Sequence, residues 1–334
     1  MENFYEILKK DLYNMSTEDV FSVYIDFPFC KSICKYCVYN TLSLAENENK
    51  RQEYVDALIK QIRSFKDILE VKTPDSLYFG GGTPSLFTFD ELTLIKESIP
   101  NYHKIKTIKI EAHPIDLNNK KIEFYAKEML VDVLSLGVQS LDQQSCAQQK
   151  RIWIDATHLK KIIEICHSYG ILVNVDLVAL FNGDEEFNWD IFDNDLKLMT
   201  TIVTPDIITS VVNYNTKLNY PNQVLRLRQL LSKVIGKTYY PANKTMLSTN
   251  ILDIKKYRNN DHWIATKSYW EYQMNNIRYN GSLPKIGHRI HQATLSFGGA
   301  NKHQVYSFPT SVSCVCYSSY NFTTHKFHTV VKHD

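Results

Sequence analysis

The chain has 334 residues, 44% of them hydrophobic, enough to bury the core of one large domain with an appendage. A formal net charge of +2 leaves neither a nucleic-acid-binding stripe nor an acidic tail, and no apolar run reaches the length of a membrane span. Met1-Glu2-Asn3-Phe4 begins no secretory leader, and seven cysteines, three of them in one loop, argue for a reducing cytoplasmic setting rather than a disulfide framework.

Residues 1–20 read as a short helical lead-in. The alternation over 21–27 predicts the first strand. Directly after it comes Cys30-Lys31-Ser32-Ile33-Cys34-Lys35-Tyr36-Cys37, with thiols spaced C-x-x-x-C-x-x-C. Thiolates are soft ligands that suit iron–sulfur clusters and zinc. A closed zinc site takes four ligands, and a [4Fe–4S] cluster has four irons to bind. Three cysteines in one loop therefore point to a cluster with one iron open to a small molecule. A zinc loop completed by a distant residue, or three inert thiols, are the alternatives.

Residues 48–66 carry Tyr54, Ala57, Leu58, Ile62 and Phe65 at helical spacing. A strand over 77–79 ends in Gly80-Gly81-Gly82, which lack side chains that would block close backbone approach. A helix over 89–99 follows, with Thr88 as its cap. Strands at 107–112, 133–138, 171–178 and 207–212 then alternate with helices at 120–127, 158–169, 187–199 and 224–235. Six strand–helix units in succession predict parallel strands with right-handed crossovers. The expected class is α/β, a partial (β/α)6 TIM-like barrel over 21–240. Residues 241–334 form an irregular, β-rich carboxy-terminal extension in this reading, with 241–258 polar and irregular and 294–306 and 311–331 β-rich.

In such barrels the reacting groups lie at the carboxyl ends of the strands. Glu111 and Asp176 stand at such ends, and buried carboxylates are costly unless paired or hydrogen-bonded, so both suggest polar ligand contacts. Cys166 shares a helical face with Leu159, Ile162 and Ile163 and reads as core. Cys146, in a polar helix or loop, suggests no role. Cys314 and Cys316 share one strand face; a second metal or a thiol hydrogen donor there is the less expected reading. His288 and His291 read as a surface pair.

Five blocks in order resemble the radical S-adenosylmethionine (radical SAM) superfamily. They are Tyr24 to Cys37, Tyr78-Phe79-Gly80-Gly81-Gly82-Thr83-Pro84-Ser85, Glu111-Ala112-His113-Pro114, Leu134-Ser135-Leu136-Gly137-Val138-Gln139-Ser140, and Val173-Asn174-Val175-Asp176-Leu177. More narrowly they resemble the branch of oxygen-independent coproporphyrinogen III oxidase, with its related haem chaperones, methyltransferases and cyclopropanases. The resemblance implies the same barrel, with a [4Fe–4S] cluster on Cys30, Cys34 and Cys37. It implies S-adenosylmethionine lying along Gly81, Gly82 and Thr83, with Tyr24 and Glu111 at this first site. Tyr36, Gln139, Arg151 and Asp176 match contacts to a second S-adenosylmethionine. The expected activity is reductive cleavage of the cofactor to a 5′-deoxyadenosyl radical, for oxidation, methylation or cyclopropanation of a small organic substrate. The alternatives are a coproporphyrinogen-type decarboxylase or a non-catalytic haem-handling protein. An electron donor such as flavodoxin or ferredoxin is expected, with no nucleic acid or membrane partner and a monomeric state.

The pattern also departs from that branch. Asp26 stands where histidine is common, Val133 where arginine is, and His113 where asparagine or aspartate is usual. Ala179-Leu180-Phe181-Asn182 replaces a glycine-leucine-proline turn, and Ala265-Thr266-Lys267-Ser268-Tyr269-Trp270 lacks the His-Asn of the haem chaperones. Leu295-Ser296-Phe297-Gly298-Gly299-Ala300 resembles the late glycine strand, and the helical carboxy-terminal domain of the branch is not expected. These departures weaken a porphyrin assignment and leave the cluster and cofactor expectations in place.

Overall fold

The structure is a computed structural model that describes residues 13–14, 20–37, 39, 41–179 and 185–212, parts of 223–249, and the strands at 292–297, 312–321 and 326–333. The predicted strands form as parallel neighbours: β1 (Val20–Phe27), then, past the short ribbon of β2 (Phe29–Cys30) and β3 (Leu42–Ser43), β4 (Ser76–Gly81), β5 (Thr107–Ala112), β6 (Val133–Gln139), β7 (Leu172–Ala179) and β8 (Ile207–Val212). Helices α1 (Leu44–Ser64) and α2 (Lys66–Val71) lead from β3 to β4, and α3 (Phe89–Ser98) and α4 (Asn119–Lys127) make the next two crossovers. The connection after β6 carries α5 (Gln143–Gln148) and α6 (Ala156–Ser168), and α7 (Glu185–Leu198) precedes β8. The α/β class and the six parallel strands of a partial barrel are thus as expected.

Four helices start at side-chain caps that the sequence supplies. Thr88 and Glu91 form a reciprocal capping box on α3, while Asn118, Asp142 and Asp155 accept from backbone amides opening α4, α5 and α6. Each such cap contributes roughly 1 kcal/mol.

The strands divide their two faces by period-two alternation. Val23, Ile25, Phe27, Phe79, Ile108, Ile110, Leu134, Leu136, Val173 and Val175 join Tyr54, Leu58, Ile62, Leu92, Ile95, Ile122 and Leu159 of the helices in one buried cluster. The opposite face carries Tyr24, Asp26, Tyr78, Lys109, Glu111, Ser135, Asn174, Asp176 and Thr209. A closed barrel of this kind fills its interior with branched apolar side chains. Here the interior wall is polar.

The sheet stays open, in the order β13-β12-β11-β1-β4-β5-β6-β7-β8-β10-β9. Beyond β8, β9 (Tyr239–Asn243) and β10 (Met246–Thr249) pair antiparallel. The pattern of 241–258 reads as irregular, so this pairing differs from expectation over 241–249. Pro241 is tolerable there because β9 is an edge strand, where a missing N–H removes no inner ladder bond. On the other side β11 (Gln292–Phe297) pairs parallel with β1, followed by β12 (Val312–Asn321) and β13 (Lys326–His333). Cys314 and Cys316 both lie on β12, two positions apart. His288, His291, residues 180–182, 265–270 and 298–306, and most of 1–20 lie outside the described residues, as does part of 224–235. Among the described residues no helix is long and apolar enough to cross a membrane.

Cys166 is fully buried on α6 beside Leu159, Ile162 and Ile163, and burial pushes its thiol up to about 12. Such a thiol stays protonated and inert. Cys166→Ser should cost ~1–3 kcal/mol by burying a hydroxyl in an apolar site. It should lower the melting temperature while leaving iron content after anaerobic reconstitution unchanged.

Candidate active site

The loop after β1 is fastened on several sides. Lys35 N donates to Gln149 O (3.1 Å) and Ser32 Oγ to Lys150 O (2.9 Å), seating the loop on the connection that follows α5. Lys31 Nζ bonds Asp116 Oδ1 (2.5 Å) beyond β5. Thr83 Oγ1 donates to Cys30 Sγ (3.3 Å) and Arg151 Nη1 to Cys34 Sγ (3.6 Å). All three thiols are free; Cys34 is buried and the other two are half-buried. Burial pushes Cys30 up to about 11, with Thr83 opposing and the neighbouring Cys37 and Cys34 adding to the rise. The thiols are thus near enough to act on one another electrostatically. Among the described residues no three His, Cys, Asp or Glu side chains are drawn together around a metal position. Three soft donors on one short loop nonetheless suit a metal–sulfur cluster by their chemistry.

The glycine turn packs against this loop. Gly82 N donates to Phe27 O (2.8 Å) and Thr83 N to Phe29 O (2.9 Å). A Cβ on Gly82 would lie 2.8 Å from both of those carbonyl oxygens. Gly81 has φ +107°, and a Cβ there would collide with Asp26 Oδ1. Neither position accepts a side chain without displacing the cysteine loop's entry strand, which gives these glycines a physical necessity beyond turn-forming.

The polar wall continues across the sheet. Tyr24 stacks on Tyr78 at 5.4 Å between ring centroids, Lys109 Nζ sits 5.0 Å above the Tyr78 ring, and the Tyr78 hydroxyl donates to Glu111 Oε1. Asp176 accepts from Ser135 Oγ (3.0 Å) and Asn174 Nδ2 (2.8 Å), and Thr209 Oγ1 donates to Asn174 Oδ1 (2.8 Å). Asp176 lies in register with Gly137, whose carbonyl accepts from Arg151 Nη2. A Cβ on Gly137 would meet Arg151 Nη2 at 2.9 Å and Gln139 Nε2 at 3.0 Å. Gln139 (φ +72°) therefore shares one corner with Arg151 and Asp176, and Tyr36 joins it through Cys34 and Arg151. Asp195 of α7 fixes the turn after β6 by accepting from Ser140 Oγ (2.6 Å) and Leu141 N (3.1 Å).

Charge in this wall is poorly solvated. Burial raises Asp26 well above its ordinary value, with Glu111 adding to the rise, and burial likewise raises Asp176 against the pull of Lys109. Burial lifts Glu111 to about 7, while its bond from Tyr78 opposes the rise and Asp176 adds to it. A carboxyl raised on folding stabilises the folded state in its protonated form. That contribution is complete below the unfolded value of 4.5 and is lost as pH rises through about 7. The unliganded protein should therefore melt progressively lower between about pH 5 and about pH 8, with Glu111 responsible for up to about 3 kcal/mol. Thermal melts of Glu111→Gln across that range should show a flatter profile; an unchanged slope would remove Glu111 as its source.

One buried nitrogen beside this corner, Arg151 Nε, has no partner. Native interiors leave few such groups unpaired, and each calls for an explanation such as a ligand. Burial, with Arg151 nearby, holds His113 down at about 3, so its ring is neutral. Together with the donor set of the loop and the glycine cradle, the unpaired Arg151 Nε fits a polar cofactor next to a metal–sulfur cluster. Tyr78, Lys109, Ser135, Asn174 and Thr209 belong to the same wall, and the sequence reading assigns none of them a site role, although Tyr78, Ser135 and Asn174 stand inside the blocks that carry the resemblance. Their signal is the polar phase of the alternation in Thr107-Ile108-Lys109-Ile110-Glu111 and Val173-Asn174-Val175-Asp176.

The radical SAM superfamily pattern matches residues 24–193. Haem chaperone HemW of Haemophilus influenzae is 26% identical over 165 residues, 47% of this chain and 42% of that protein. The oxygen-independent coproporphyrinogen-III oxidase-like protein HemZ of Bacillus subtilis is 27% identical over 205 residues, 58% of this chain and 40% of that protein. The chain thus spans less than half the length of either relative. The solved structure of coproporphyrinogen III oxidase (HemN) from Escherichia coli, a radical SAM enzyme, aligns with a TM-score of 0.62 at 18% identity, covering 77% of this chain and 61% of that one. At that identity the likeness concerns the fold.

Proposed function

The chain belongs to the radical SAM superfamily, and on that premise we propose that Cys30, Cys34 and Cys37 hold a [4Fe–4S] cluster and that the Gly80–Thr83 turn holds S-adenosylmethionine beside it. Bound together and reduced by one electron, these groups supply a 5′-deoxyadenosyl radical for hydrogen abstraction. The observation that carries this reading is the contact of Thr83, at the end of the glycine turn, with Cys30, at the start of the thiol loop. It joins the expected cofactor cradle directly to the expected cluster ligands.

The remaining wall residues act by position and charge. Asp26 and Glu111 place carboxyls beside the glycine turn, where a bound, positively charged sulfonium would favour their ionised forms. Arg151 presents its unpaired Nε as a donor for a carboxylate, and Asp176 offers acceptors to a cation or to hydroxyls. With Gln139 and Tyr36 they make a second ligand corner, for another S-adenosylmethionine or for part of the substrate. The reaction is modification of a small organic molecule, in the cytoplasm, by a monomer fed by a flavodoxin- or ferredoxin-type donor. Relatives named as a haem chaperone and as coproporphyrinogen oxidases favour a second reading, porphyrin decarboxylation or haem handling.

The test is anaerobic incubation of reconstituted protein with S-adenosylmethionine and dithionite, followed by mass analysis of nucleoside products. Release of 5′-deoxyadenosine is expected. In the same assay Asp176→Asn should keep uncoupled deoxyadenosine release and lose roughly tenfold or more of substrate turnover, as removal of a buried charged partner would. Equal loss of both, with the cluster intact, would instead assign Asp176 to the first cofactor.

A further inference from the structure

The strands bring three carboxyls to the polar wall, on Asp26, Glu111 and Asp176, and among the described residues a single cation, Lys109. Arg151 reaches the wall from the connection after α5 and is engaged there by Gly137 O and Cys34 Sγ. Register sets Lys109 between Tyr78 of β4 and Val133 of β6, with Tyr24 and Leu172 completing the row. Glu111 follows two residues on along β5, so the two side chains share one face. Lys109 Nζ lies 5.0 Å from the centroid of the Tyr78 ring, whose hydroxyl donates to Glu111. Burial raises both Glu111 and Asp176, and Lys109 opposes that rise at each, so its ammonium is within electrostatic reach of both. The hydrogen bonds to these carboxylates come from Tyr78, Gly81, Ser135 and Asn174, so Lys109 contributes charge without covering their oxygens. The other titratable and charged groups on its face are Tyr24 and Asp26 of β1 and Tyr78 of β4, with Arg151 beyond Gly137.

Val133, beside Lys109 in the register, is only 7% exposed and uncharged, at the position where the related branch commonly carries arginine. Register partners on neighbouring strands stand about 4.8 Å apart, so a long cationic side chain from either position enters the same space. We propose that Lys109 is a positioning residue that serves both ligand corners: its ammonium is the shared counter-charge of Glu111 and Asp176, supplied from β5 in place of a cation on β6. A buried carboxylate left without such a partner takes up a proton instead of receiving a cationic or hydroxyl-bearing ligand. The meaning of the two corners rests on the proposed function, whereas the sharing of charge does not.

The test compares three variants of the full chain. Lys109→Met keeps length and removes charge, Lys109→Arg keeps charge, and Lys109→Thr/Val133→Arg moves the charge across the register pair. Thermal melts of the unliganded protein come first. In the wild type, stability falls as pH rises and levels off once Glu111 is ionised, at about pH 7. Without the ammonium both carboxyls ionise at higher pH, so in Lys109→Met the fall should run on about one pH unit further. Lys109→Arg and the double variant should follow the wild-type course. A role in packing alone would lower the melting temperature by the same amount at every pH. After anaerobic reconstitution, S-adenosylmethionine affinity by equilibrium dialysis should rise with pH to a plateau, reached about one unit later in Lys109→Met alone. A Lys109→Met profile parallel to the wild type would overturn the proposal, as would Lys109→Arg, or a folded double variant, that titrates like Lys109→Met. The two single variants decide the matter even where the double variant does not fold. A wild type that binds no S-adenosylmethionine would count against the proposed function, and the melts would still judge Lys109.

Discussion

Alanine at any one of Cys30, Cys34 and Cys37 is expected to cut iron and sulfide loading at least ~10-fold and to abolish deoxyadenosine release with it. Loss of a group that only hydrogen-bonds a metal ligand typically reduces metal affinity 10–100-fold, and loss of a direct thiolate ligand removes more. The loop supplies three thiols, and neither of the other two cysteines whose side chains are described stands ready to replace one. Cys146 is fully buried and donates to Ser140 O (3.4 Å), while Cys166 lies in the apolar core of α6. The variants should fold, because the backbone bonds of Lys35 and the side-chain bonds of Ser32 and Lys31 fasten the loop without the thiols. Circular dichroism and melting curves close to wild type, beside absent charge-transfer absorbance, would separate a ligand role from a structural one. Full cluster loading in the triple alanine variant would overturn the assignment.

Gly81→Ala should be the most damaging single methyl group in the cofactor turn. The residue has φ +107°, a region that L-residues rarely occupy, and the added Cβ would run into Asp26 Oδ1. Backbone strain of this kind costs of order 1–3 kcal/mol, and the collision adds to it. Relief is available only by moving Asp26 or the turn, and the turn is pinned to Phe27 and Phe29 by Gly82 and Thr83. The expected result is a lower melting temperature together with weaker S-adenosylmethionine binding by equilibrium dialysis. In an Asp26→Ala background the collision is gone while the strain persists, so the second substitution should restore part of the lost stability. Additive losses in that double-mutant cycle would show that the two residues do not press on each other.

The features legible in the sequence are those with a local signature. The strand–helix alternation follows from hydrophobic period, and Thr88, with Glu91 three residues on, announces α3. The cysteine loop and triple glycine are readable because their chemistry depends on residue type and short spacing. What escaped was set by distant parts of the chain. Nothing local in Gln149 or Lys150 says that the cysteine loop rests on them, since that contact is made by backbone carbonyls. Positive φ at Gln139 and Lys150 carries no glycine to mark it. The strands at 239–249 were hidden by Pro241, whose edge position is a property of the whole sheet. Lys109 and Asn174 look like ordinary polar positions until register sets them beside Tyr78 and Ser135.

The division of each central strand into an apolar and a polar face has a consequence for how such a protein can diverge. Residues that hold the sheet to its helices and residues of the polar wall alternate along the same strands, yet they occupy separate environments. Exchange of Lys109, Ser135, Asn174 or Thr209 for another polar residue alters the shape and charge of the polar wall without touching the packing of Ile108, Leu134, Val173 or Ile208. Mutations on one face are then nearly independent of those on the other, as expected for sites without shared partners. A lineage built this way can explore new substrates at modest risk to folding, while the cysteine loop and glycine turn, wedged against each other's backbone, resist change together.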